Sequence, residues 1–120
     1  MALVIEADAQ VAEMTAGMLR SEGFDVAVAT TAHDAREQLE QNEFDLVMAD
    51  FVMPDLGAMT LYGELMRSRP MMARRLIFTT PGFLTSETLR FLEELKLVLV
   101  AKPYTRVTLR DAIARMLRRL

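Results

Sequence analysis

Among its 120 residues the chain has no cysteine, no tryptophan and a single histidine, His33. Without cysteine there is no disulfide framework, no thiolate metal site and no Cys–His catalysis, and a Ser–His relay has only His33 to draw on. A basic excess is missing too: 14 Lys and Arg against 17 Asp and Glu leave a formal net charge of −3. Nucleic acid demands a cationic surface to neutralise its phosphates, so no nucleic-acid partner is expected. Long apolar runs are also lacking. Leu97 to Ala101 is typical of those present, far short of the roughly 20 residues that a membrane span needs, and no basic region followed by a long apolar stretch opens the chain. The expectation is a cytoplasmic protein without membrane insertion.

What is present is a globular balance, 52% hydrophobic and 26% charged, in a length that suits one domain, residues 1–120. Ala2 to Ile5 has the length and character of a strand. Val11, Met14, Met18 and Leu19 then recur at helical spacing until Gly23. Phe24 to Val28 reads as a second strand, and Thr31 with Asp34 has the spacing of a helix cap ahead of Ala35 and Leu39. Phe44 to Ala49 is apolar and runs into Asp50, after which Pro54 and Gly57 predict a loop. Met59, Tyr62, Leu65 and Met66 share a helical stripe closed by Arg69 and Pro70. Leu76 to Thr79 predicts a fourth strand, followed by the turn Pro81-Gly82 and a helix from about Ser86 to Leu95. Leu97 to Ala101 predicts the fifth strand. From about Arg106 a last helix places Leu109, Ala112, Ile113, Met116, Leu117 and Leu120 on an apolar face. Most of the ten methionines fall on such stripes or beside strands, which predicts core filling.

Strict strand–helix alternation predicts an α/β fold, a doubly wound five-stranded parallel sheet of the (βα)5 kind with helices on both faces. Ligand chemistry in such sheets gathers at the carboxyl ends of the strands. Those ends carry Glu6 and Asp8 after the first strand, Asp50 after the third, Thr80 after the fourth and Lys102 after the fifth. Carboxylates hold Mg²⁺, while a hydroxyl and an ammonium donate to phosphoryl oxygens, so the set suits a small phosphorylated or metal-bound centre. Singly, each has a blander role: Asp8 as the cap of the first helix, Thr80 as an ordinary strand residue, Lys102 as an exposed lysine.

Phe44-Asp45-Leu46-Val47-Met48-Ala49-Asp50 followed by Met53-Pro54, then Thr80, then Lys102-Pro103-Tyr104, resembles the receiver domain of response regulators in two-component signalling over essentially the whole chain. The resemblance implies a flavodoxin-like receiver fold with strand order 2-1-3-4-5 and a cis bond before Pro103. It implies Asp50 as phosphoacceptor, Thr80 and Lys102 as phosphoryl contacts, and Mg²⁺ held by Glu6, Asp50 and the backbone carbonyl of Val52, with Asp8 a further candidate ligand. The implied partners are a histidine kinase or a histidine phosphotransfer domain, a downstream protein, and a second copy in a weak homodimer. Any catalysis would be of the chain's own phosphotransfer and dephosphorylation, alone or within a hybrid histidine kinase.

The chain departs from the family pattern at four places. Ala7 stands where the family carries its direct metal ligand, and Gly57-Ala58 replaces Asp-Gly in the loop after Met53-Pro54. Pro81 follows Thr80 and removes a backbone donor. Leu99 occupies the position of a switching aromatic. These departures raise an alternative, a degenerate receiver that serves as a phosphorylation-independent interaction module. A small hydrolase on the same sheet would need a base near its nucleophile, which the chain lacks.

Overall fold

The computed structural model describes all 120 residues, Met1–Leu120. Five strands, β1 (Ala2–Ile5), β2 (Val26–Ala29), β3 (Leu46–Asp50), β6 (Leu76–Thr80) and β7 (Val98–Ala101), form one parallel sheet in the order β2-β1-β3-β6-β7. This is the flavodoxin-like receiver order, 2-1-3-4-5 when only the sheet strands are counted. Helices α1 (Ala9–Ser21), α2 (Ala32–Gln41), α3 (Ala58–Ser68), α5 (Ser86–Glu94) and α6 (Arg106–Leu117) make the crossovers and cover both faces.

Because side chains alternate along a strand, each strand feeds two cores. Leu3, Ile5, Val47, Ala49, Leu76 and Phe78 pack against Leu39, Leu61, Leu65 and Leu92 from α2, α3 and α5. Ala2, Val4, Leu46, Met48 and Ile77 pack on the opposite face against Ala12 and Leu19 of α1 and Leu109, Ala112, Ile113 and Met116 of α6. Burial on both faces explains why β1 is apolar at every position. The register aligns Ile5 with Ala49, Asp50 with Thr79 and Thr80 with Ala101. Glu6, Asp50, Thr80 and Lys102 therefore gather at the carboxyl end of the sheet.

Helix starts follow side-chain chemistry. Asp8 caps α1 by accepting from the N–H groups of Gln10 (2.9 Å) and Val11 (3.2 Å), and Thr31 caps α2 by accepting from the N–H of Asp34 at 3.1 Å. At the other end of α1, the N–H of Gly23 reaches the Arg20 carbonyl and the N–H of Phe24 reaches that of Leu19. This Schellman arrangement depends on Gly23 at φ 97°.

Three expectations need correction. The stretch after Asp50 is not plain loop, since β4 (Val52–Met53) pairs antiparallel with β5 (Leu56–Gly57) across Pro54 and Asp55. Pro70 does not only close a helix but opens the short α4 (Pro70–Ala73), where its fixed φ and missing N–H suit the first helical position. Leu117 and Leu120 lie off the core, both at least half exposed, because a 12-residue helix runs about 18 Å whereas the strands beneath it hold four or five residues. The methionines divide: Met48, Met53, Met72 and Met116 are buried, while Met14, Met66 and Met71 are exposed.

Candidate phosphoacceptor site

Glu6 directly follows β1, Asp50 ends β3, and Lys102 directly follows β7. The Lys102 ammonium bridges the two acids, donating to Glu6 Oε1 at 2.9 Å and to Asp50 Oδ2 at 3.0 Å. The other oxygen of Asp50, Oδ1, accepts the N–H of Val52 at 3.0 Å. Both carboxylates are nearly enclosed, with side-chain exposures of 8% for Glu6 and 10% for Asp50. Desolvation at such a site penalises charge. Burial pushes the Glu6 carboxyl up to about 7, the adjacent Asp50 carboxyl adds to the rise, and Lys102 opposes it. Burial works against the Lys102 ammonium as well, but the paired carboxylates outweigh it and its pKa rises. The second oxygen of Glu6, Oε2, is buried without a protein hydrogen-bond partner.

Thr80 ends β6 and is buried. Its carbonyl accepts the N–H of Lys102 at 2.8 Å, and its hydroxyl stays out of the ion-pair cluster. The Lys102–Pro103 bond is cis. Asp8 does not join the cluster, because its carboxylate faces the start of α1. His33 is on the surface beside Glu37 at 3.2 Å. Leu99 is half-buried in β7 and takes a hydrogen bond from Arg115 on its carbonyl.

Two neighbouring features were not legible in the sequence. The Tyr104 hydroxyl is hydrogen-bonded in the interior to Thr15 of α1, and Asp55 of the β4–β5 turn accepts the N–H of Ala32 at the start of α2 at 3.2 Å. Tyr104 read only as the aromatic of a Lys-Pro-aromatic run, and nothing in the local pattern marks Thr15 or Asp55.

No trio of His, Cys, Asp and Glu side chains converges anywhere in the chain. Mg²⁺ nevertheless keeps several waters and is commonly held by one or two carboxylates together with phosphate oxygens. Glu6, with its unpartnered Oε2, and Asp50 supply two such groups, so the residues present fit the ion in a reduced form.

A doubly wound parallel sheet with an acid–lysine–acid centre at the carboxyl ends of its strands β1, β3 and β7 defines the receiver class. The family model described as response regulator receiver domain matches residues 2–114, and the chain belongs to that family. Among solved structures it is similar to a response regulator receiver domain protein from Clostridium thermocellum, with 25% identity, TM-score 0.82, and 98% of this chain and 94% of that one covered. The receiver domain of a signal transduction histidine kinase from Syntrophus aciditrophicus shares the fold at 21% identity and TM-score 0.79, covering 98% and 89%. So does the response regulator protein TrrA from Thermotoga maritima, solved in complex with Mg²⁺-BeF, at 20% identity and TM-score 0.79, covering 96% of both chains. No curated protein matches the sequence. No helix is long and apolar enough to cross a membrane.

Proposed function

We propose that the chain, folding as one unit over residues 1–120, is a phosphoacceptor receiver of a histidine-to-aspartate relay. The observation that carries this reading is the Asp50 carboxylate at a strand end, with one oxygen on the Lys102 ammonium and the other on a backbone N–H. In the reaction an Asp50 oxygen attacks the phosphorus of a phosphohistidine on a histidine kinase or phosphotransfer domain. The P–N bond breaks, its electron pair stays on the imidazole nitrogen, and that nitrogen takes up a proton. Lys102 then turns to the phosphoryl oxygens, and Thr80 offers its hydroxyl to them from the neighbouring strand. Glu6, Asp50 and the Val52 carbonyl would hold Mg²⁺, which supplies charge neutralisation for the incoming group. The TrrA complex with Mg²⁺-BeF supports such chemistry on this fold.

Intact mass after incubation with Mg²⁺ and a small phosphodonor, or with a purified kinase, tests the reading. One phosphoryl group should be added to the native chain and none to Asp50→Asn. Absence of an Asp50-dependent adduct with every donor overturns it.

A second reading is favoured by two observations: Ala7 supplies no ligand, and Asp8 is engaged as a helix cap. On that reading the chain is a degenerate receiver that binds a protein partner without phosphorylation, and Lys102 stays on its two carboxylates throughout.

A further inference from the structure

On the α1–α6 side of the sheet, beneath Glu6 and Asp50, lies a small void of about 10 Å³, lined among others by those two carboxylates, Thr79, Thr15 and Tyr104. The hydroxyl pair at its floor has a defined direction. Thr15 Oγ1 contacts both the Val11 carbonyl at 2.9 Å and the Tyr104 oxygen. Threonine has one hydroxyl proton. The carbonyl can only accept, so that proton goes to Val11, and Tyr104 must donate to Thr15. Both residues are buried, Thr15 at 1% and Tyr104 at 7% exposure, and burial keeps the phenol protonated by raising its pKa.

Tyr104 is two residues from Lys102. The loop between them has one anchor at the sheet, the Lys102 N–H on the Thr80 carbonyl, and one at Tyr104, whose ring packs in the α1–α6 core. We propose that the Tyr104–Thr15 hydrogen bond positions Lys102, fixing its ammonium between Glu6 and Asp50 by tying the loop after β7 to α1. The phenol hydroxyl adds to ring burial a directional bond that fixes how deeply the loop seats. Removing it leaves the ring packed but frees the loop to shift, and a shift of a few tenths of an ångström is felt at two ion-pair contacts of 2.9 and 3.0 Å. This role rests on Asp50 and Lys102 being the acceptor site, but the placement of Lys102 can be read without any phosphorylation.

The test follows the side-chain ammonium of Lys102 by ¹⁵N NMR in the full chain, alongside thermal stability and adduct formation at Asp50. In the native chain the ammonium, held by two carboxylates, should give a resolved signal with slow hydrogen exchange. Tyr104→Phe and Thr15→Val should each speed that exchange roughly fivefold, the weight of one net hydrogen bond. The double variant should do no more than either alone, and Thr15→Ser, which keeps the hydroxyl, should behave as the native chain. Equal exchange in all variants, whatever their melting temperatures, overturns the proposal, as does an unresolved Lys102 signal in the native chain. A native chain that takes no phosphoryl group but shows the predicted exchange pattern would retire the acceptor reading and leave the positioning role intact.

Discussion

At position 7 a methyl group stands between two acids with different partners. Glu6 turns inward to Lys102, while Asp8 turns along α1 to cap it. Ala7→Asp should therefore strengthen Mg²⁺ binding by on the order of tenfold or more, a typical scale for metal-site substitutions, as read by calorimetric titration. Asp8→Ala should leave that affinity unchanged and cost about 1 kcal/mol of stability through the lost cap. Glu6 makes a separate prediction. Its carboxyl moves from 4.5 to about 7 on folding, so between those values the folded chain holds a proton that the unfolded chain has released. Native stability then falls as pH rises through that window, and Glu6→Gln should flatten this part of a denaturation–pH profile. The strand-end positions of Glu6, Asp50, Thr80 and Lys102 were legible in the sequence because each sits at the end of an apolar run, but that the Thr80 hydroxyl stands apart from the ion pairs was not. Thr15 with Tyr104 was not, because a contact across 89 positions depends on how α1 is rotated on the sheet.

Among the elements, those with an unambiguous period or a terminal signal were legible. Gly23 after the helical stripe, Thr31 ahead of α2 and the start of α6 at Arg106 all hold in the structure. Strand edges shifted by a residue or two, since β2 begins at Val26 rather than Phe24 and β3 at Leu46 rather than Phe44. In both cases an aromatic beside a strand continues the apolar run without entering the ladder. The β4–β5 ribbon has only two pairs and no alternating pattern long enough to signal it. Gly23 carries the prediction at this scale. Nothing lies within 4 Å of an added Cβ, so Gly23→Ala meets only the left-handed backbone penalty, about 1 kcal/mol. A lower melting temperature with an unchanged yield of Asp50 adduct is the expected result.

In the molecule as a whole, the sheet is a partition between two cores that never meet except through its backbone. Leu61 buttresses one side and Leu109 the other, both essentially buried. Truncating either to alanine should cost about 2–5 kcal/mol, a large part of the roughly 5–15 kcal/mol that holds a domain together. If the two cores fold as one unit, denaturant unfolding of each variant stays a single transition with coincident fluorescence and circular dichroism. Separate transitions for the two probes would mean that the cores melt apart.

The interior position of Tyr104 has a practical side. In a chain with no tryptophan and two tyrosines, ultraviolet emission excited at wavelengths that phenylalanine does not absorb comes from Tyr62 and Tyr104. Tyr62→Phe leaves one tyrosine, which lines the small void beside Glu6 and Asp50. Its emission should change when a group is added at Asp50, an optical readout that needs neither a dye nor a fused reporter.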